Sequence, residues 1–170
     1  MKFERIIGVF NLLTKASERA AEYATQSGLS NTDIVDIVSS FGYAGPKPIA
    51  TRRAWPNGTS EVRVLSCRTD LKWIKVLPKE LTAPSGKTDF KTAYLALDRS
   101  GGLFVIGAYT SKDEAWEACR KYWTQLSYCS AIQNMEQWYD EKCMFHAQGA
   151  LGGMIHHWFV EPYDINGRVE

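Results

Sequence analysis

Apolar and polar positions are patterned most cleanly between residues 91 and 134. Residues 92–98, TAYLALD, crowd apolar and β-favouring side chains together, as in a strand buried on both faces. Residues 98–102, DRSGG, predict a turn, because paired glycines supply the positive φ that a tight reversal needs. Residues 103–109, LFVIGAY, are the return strand. A helix is predicted over 111–126. The Ser111 hydroxyl can accept from the Glu114 N–H while Glu114 reaches back to the Ser111 N–H, a capping box. Ala115, Trp116, Cys119, Tyr122, Trp123 and Leu126 then recur at helical spacing. That stripe should bury Trp116, Cys119 and Trp123 against the 92–109 hairpin, the nearest apolar surface. Residues 127–133, SYCSAIQ, can return as a third strand.

Elsewhere the pattern is weaker. Phe3, Ile6, Ile7, Phe10, Leu13, Ala16, Ala20 and Ala24 form a helical stripe over 3–27, with Gly28 as its stop signal. Ser30 to Asp33 is a second capping signature, and Ile34, Val35, Ile37, Val38 and Phe41 continue as a shorter helix ended by Gly42. Together they predict an N-terminal helical hairpin, read as a layer over the sheet rather than a partner-binding face. Residues 43–49, with two prolines, read as a linker. Residues 49–55 and 59–67 flank an Asn-Gly turn and predict a β-hairpin. Residues 72–77 are another strand and 81–91 a polar loop. Residues 135–148 fit a helix capped by Asn134, or 142–148 a strand. Residues 154–160 are a last strand before a loose tail. The fold class is α+β: an N-terminal helical hairpin, a mostly antiparallel β-sheet, and one amphipathic helix (about 111–126) packed on it. The expected organisation is a single domain over 1–170, with a subdivision at 1–45, 46–80 and 81–170, the last a ββαβ core.

At 170 residues the chain is long enough for one sizeable core, and no apolar run reaches the roughly 20 residues of a membrane span. The start, MKFERIIGVFNLL, superficially suggests an export signal, but Asn11 interrupts it and no small-residue cleavage site follows. The expected compartment is therefore a reducing cytoplasm, with Cys67, Cys119, Cys129 and Cys143 as free thiols. Six Trp and eight Tyr are many for this length; core packing absorbs most of them, and an aromatic-rich chain also has more material for an interface.

Charge changes the picture locally. Residues 47–79 carry eight Lys/Arg against Glu61 and Asp70, a net of +6, although the whole chain carries only +1. Arg52, Arg53, Arg63, Lys72 and Lys75, interleaved with Trp55 and Trp73, have the chemistry of a nucleic-acid surface, cations for phosphate and rings for stacking. Alternation places Val62 and Val64 opposite Arg63, and Ile74 and Val76 opposite Trp73 and Lys75. The competing reading is a solvated sheet face whose cations pair with nearby acids. Cys143, His146, His156 and His157 have the chemistry of a zinc set. Adjacent histidines in a strand point to opposite faces, so that set is not adopted. Nucleophile elbow and phosphate loop are both missing, so no catalytic residues and no cofactor are assigned.

Residues 107–115, GAYTSKDEA, with cysteines in the helix, the strand and the following segment, resemble a small bacterial domain family of unknown function. The resemblance covers 92–150. It implies export and a use for the cysteines, and it names no activity. The expected function is a non-catalytic macromolecule-binding protein: a protein–protein interaction module such as an inhibitor, an immunity-type antagonist or a small subunit of an assembly. Nucleic-acid binding through 47–79 is the alternative, and an enzyme without a recognisable motif is the third. No membrane partner is expected.

Overall fold

The computed structural model describes residues 6–29, 34–36, 50–54, 56–57, 59–64, 73–77, 79–82, 90–128 and 130–167. Among these residues two helices and ten strands form two mostly antiparallel sheets, an α+β architecture. The chain divides into two compact units, residues 10–78 and residues 1–9 with 79–170.

In the first unit, helix α1 is Leu13–Gln26. The apolar stripe predicted its start at residue 3. Instead Val9 makes a parallel bridge to Ile165 within the second unit, and Asn166 N–H donates to the Val9 carbonyl at 2.8 Å. Ile6, Ile7, Gly8 and Val9 explain the difference, since β-branched residues and glycine are poor helix formers. The predicted stop holds. Gly28 has φ +85°, its N–H donates to Thr25 O and the Leu29 N–H to Ala24 O, each at 3.0 Å. This is a Schellman motif, and Leu29 and Ala24 are both buried beside it.

Strand β1 (Ile34–Asp36) pairs in parallel with β2 (Ala50–Ala54), which pairs antiparallel with β3 (Ser60–Val64) and through it with β4 (Trp73–Val76). The predicted second helix is therefore corrected at 34–36, where two β-branched residues lie in a strand. The rest of that helix and the 43–49 linker lie outside the described residues. The predicted hairpin around residues 56–58 is present, with the Asn57 side chain accepting from the Thr59 N–H at 3.0 Å. Ile74 on β4 is buried, and α1 packs on that strand.

The second unit contains β5 (Leu81–Thr82), β6 (Thr92–Arg99), β7 (Leu103–Tyr109), α2 (Lys112–Leu126), β8 (Gln133–Tyr139), β9 (Phe145–Leu151) and β10 (Met154–Asp164). The strands lie in the order β5-β7-β6-β10-β9-β8, all neighbours antiparallel except β5 with β7. Ser111 caps α2 by accepting from the Asp113 N–H at 3.3 Å, one residue short of the predicted capping-box partner. Four further expectations are corrected. The third strand starts at Gln133 rather than ending there. Of the two readings of 135–148, the helix is replaced by β8 and β9, and the alternative strand at 142–148 is met by β9. Part of the predicted 81–91 loop is β5, and β10 continues to Asp164 where a loose tail was expected.

The core follows from strand position. β6 and β10 are central, so both faces of each are covered. Toward α2 lie buried Ala96, Ala115, Cys119, Ala147, Trp158 and Val160, with Trp116 and Trp123 half-buried against them. On the opposite face Leu95, Leu97, Ala108 and Phe159 are buried with Ile6, Val9 and Leu81 around them. No helix among the described residues is long and apolar enough to cross a membrane.

Candidate functional site

Register assigns every side chain of β8, β9 and β10 to one face. Trp158 pairs with Ala147 and Ala147 with Gln137, so these share the α2 face with Met135, Tyr139 and Phe145. His157, Phe159, His146, Trp138 and Glu136 occupy the opposite face. Each face carries a row of rings that ends on β8.

On the α2 face the row starts in the core. Trp158 contacts Trp123 at 5.4 Å between centroids, Trp123 meets Trp116 edge-on at 5.2 Å, and Trp116 stacks on Phe145 at 5.2 Å. Phe145 then meets Tyr139 at 4.7 Å, and Tyr139 is 64% exposed. α2 packs over β6, β7 and β10, and no described helix packs over β8 to a like extent on this side. An open groove remains, lined by Trp116, Trp123, Tyr128, Met135 and Gln137.

On the opposite face the row is a near-parallel stack. Arg99 lies over Phe159, Phe159 stacks on His157 at 4.7 Å, His157 and His146 lie side by side with centroids 5.2 Å apart, and Trp138 stacks on His146 at 5.4 Å. Phe159 and His157 are neighbours along β10, whereas Trp138 reaches across from β8 to both imidazoles, 5.4 Å from His146 and 5.5 Å from His157, so the rings form a cluster that spans three strands. An N–H bridges His146 Nδ1 and His157 Nε2 at 3.0 Å. Burial, then the neighbouring His146 and Arg99, push the His157 imidazole down to about 4. His146 Nε2 is 3.4 Å from Asp140 Oδ2, close enough for ion pairing but too poorly aligned for a hydrogen bond. Asp140 holds the β8–β9 turn: its Oδ1 accepts from the N–H groups of Met144 at 2.8 Å and Lys142 at 2.9 Å. The Met144 N–H is the main reason its carboxyl lies below the ordinary range.

β8 is an edge. Asp140 N–H donates to Met144 O at 3.0 Å, so 140 and 144 form a hydrogen-bonded pair. Alternation then directs the backbone groups of Trp138 and Glu136 toward β9 and those of Tyr139 and Gln137 outward. At the other end, Asn134 (φ +53°) lies in a bulge where the register slips between Gln133 and Glu136. No described strand pairs with the outer edge, and every residue of β8 except Met135 is exposed.

A second cluster lies under α2. His156 Nδ1–H donates to the Asp98 carboxylate, 2.9 Å and 3.2 Å from its two oxygens, and the Ser100 hydroxyl donates to Oδ2 at 3.4 Å. Burial raises the Asp98 carboxyl against the lowering effect of His156. Cys119 lies nearby with its thiol 3.7 Å from Phe159 O, and burial pushes it up to about 12. A thiol so disfavoured as thiolate is a packing residue, not a nucleophile. The pair joins the ends of β6 and β10, and the described pocket does not reach it.

The basic candidates lie in the first unit. Arg52 and Arg53 are both exposed on β2, but consecutive strand positions put them on opposite faces, Arg52 beside Val62 and Arg53 beside Glu61. Lys75 is exposed and its ammonium is 3.6 Å from Glu61. Trp55 and Lys72 lie outside the described residues, as do the side chains of Arg63 and Trp73. His156 and His157 do point to opposite faces, and among the described residues no group of three or more His, Cys, Asp or Glu is placed to hold a metal ion. Cys119 and Cys143 are free thiols, and Cys67 and Cys129 lie outside the described residues. Sequence reasoning missed β8. Its only signal was QNMEQWY itself, a run with no proline, no lysine and two terminal aromatics.

No family model matches the chain, and no curated protein or solved structure does either.

Proposed function

We propose that this chain is a non-catalytic protein-binding module that engages its partner by strand addition at β8. One observation carries the reading. Among the described strands β8 is an unpaired edge with outward backbone groups at Gln137 and Tyr139, and each of its faces ends in an exposed aromatic side chain. Natural sheets guard such edges with proline, lysine or a covering element, because a bare edge templates another strand. Here the only irregularity is the bulge at the Gln133 end, and residues 136–139 keep regular pairing to β9. Main-chain hydrogen bonds would supply affinity, and the groove on one face with the ring stack on the other would supply selectivity. An inhibitor or a small subunit of an assembly could use such an edge.

Gln137→Pro tests this directly. Proline is tolerated on an edge strand where the lost N–H faces outward, so the variant keeps the β8–β9 ladder and removes a docking group. A partner captured from the source cells should bind the parent, protect the Gln137 and Tyr139 amides from hydrogen exchange, and not bind the variant. Equal binding to folded Gln137→Pro, with the Gln137 and Tyr139 amides of the parent still exchanging in the complex, would place the interface elsewhere.

A further inference from the structure

The strand that β8 accepts can be specified chemically, on the premise that β8 is the docking edge. On the face opposite α2, the edge presents Glu136, Trp138 and Asp140 in alternate positions, acid, indole, acid. Glu136 is exposed and makes no ion pair among the described residues. Trp138 is 39% exposed, and its ring partners, His146 and His157, both lie on the inner side. Its outer ring face is where a further strand, about 4.8 Å away, would place its own side chain. Trp138 is thus the outermost ring of the cluster, lying against both imidazoles, and the next strand can add one ring to it.

We propose that β8 binds an extended segment of another protein whose side chains on that face read cation, aromatic, cation, the aromatic against Trp138 and the cations against Glu136 and Asp140. The aromatic continues the stack with the offset geometry that rings prefer. The cations meet the two carboxylates, and the Asp140 carboxylate is held in place by its own turn. Trp138 pairs with His146 and directs its backbone toward β9, so on the outer side it sits at a non-hydrogen-bonded position, where cross-strand side chains come closest. The opposite face of the incoming strand needs no charge, because there it meets Gln137, Tyr139 and the groove beside Trp116 and Trp123.

The same geometry disfavours a second copy of this chain. Antiparallel self-pairing that stacks Trp138 on Trp138 of the copy places Glu136 opposite Asp140 of the copy, twice by symmetry. Like charges directly opposite are destabilising. Shifting the axis to Gln137 relieves the clash but sets Glu136 against Trp138 and adds no ring to the cluster.

The test uses short capped peptides titrated into the whole protein and read by the amide shifts of Gln137 and Tyr139. One peptide alternates threonine with lysine, phenylalanine and lysine. A second replaces phenylalanine by leucine, a third replaces both lysines by glutamate, and a fourth N-methylates the first. The first should bind most tightly, with the leucine peptide roughly three- to tenfold weaker. The glutamate peptide should be weaker still, with a difference that shrinks as salt rises. Trp138→Ala should erase the preference for phenylalanine over leucine without erasing binding. If the first three peptides bind alike and only N-methylation or Gln137→Pro abolishes binding, strand addition stands and the proposed chemistry is wrong. If N-methylation and Gln137→Pro change nothing, the docking edge itself is wrong. A concentration-dependent dimer that excludes the first peptide would assign the edge to a second copy and overturn the proposal.

Discussion

The two faces of the six-stranded sheet both carry a row of rings from the centre to β8, yet they are built of different matter. Under α2 the rings are indole and phenyl, and the row begins at Trp158, which is fully buried. On the other face two of the members are imidazoles, joined by a hydrogen bond and flanked by Arg99 and Asp140. The first row is held by dispersion and burial, which pH does not alter. The second depends on keeping His157 uncharged between a guanidinium and another imidazole. The difference predicts which perturbation each face will feel.

Deleting the anchor of the α2 row should have the largest effect. Trp158→Ala should cost about 3–5 kcal/mol, the range for removing a large buried aromatic. Denaturant unfolding measures this. A cost below about 1 kcal/mol would mean that Trp158 is not a keystone of the core. Trp123, only half-buried, should cost less than the sequence stripe alone implied, roughly 2–3 kcal/mol.

Acid should weaken the opposite face. The folded value of His157, about 4, lies below its ordinary 6.5, so the unfolded chain takes up this proton first. The stabilisation is complete above about pH 6.5 and is lost as pH falls through about 4. The shift corresponds to roughly 2–3 kcal/mol after allowance for partial solvent screening. Urea midpoints should fall over that window in the parent and fall less in His157→Gln. Identical pH profiles would show that His157 is not the group responsible.

The legibility of the fold tracks the same contrast between covered and uncovered structure. β6, β7 and α2 could be read within a residue or two, because strands buried on both faces and a capped amphipathic helix each impose their own period. The hairpin of β2 and β3 was legible from its Asn-Gly turn. β8 was not, because a strand exposed on both faces has no reason to alternate. Asn134 there imitates a helix cap, whereas it serves a bulge. Ile34 and Val35 fit a helical stripe by spacing, although their β-branching favours the strand they join. The candidate site was the least legible part. An edge is a relation between strands, and neither Trp138 nor Gln137 carries a local mark of having no neighbour.

Gly149 offers a finer probe of the α2 face. It lies opposite His156 on β9, and a Cβ there would meet Ile132 Cγ2 at 2.5 Å. Gly149→Ala should cost about 1–2 kcal/mol through overpacking. Combining it with Ile132→Ala should recover part of that cost in a double-mutant cycle, while additive losses would mean that the two do not share the space.

The smallest stability effect should come from Trp138. The indole is partly exposed and rests on two imidazoles, so Trp138→Ala should cost less than about 1 kcal/mol at neutral pH. Its electrostatic effect should be larger than its energetic one. Burial is the main cause of the depressed His157 value, and Trp138 supplies part of that cover. Removing the indole admits water to the ring, which favours the charged form and moves the titration up from about 4 toward 6.5. The acid sensitivity of the fold should shrink accordingly, because folded and unfolded values converge. Titrating the His157 ring protons by NMR in parent and variant measures this. A value unmoved in Trp138→Ala would mean that His157 is shielded from elsewhere, and that Trp138 stands at the edge as a docking surface alone.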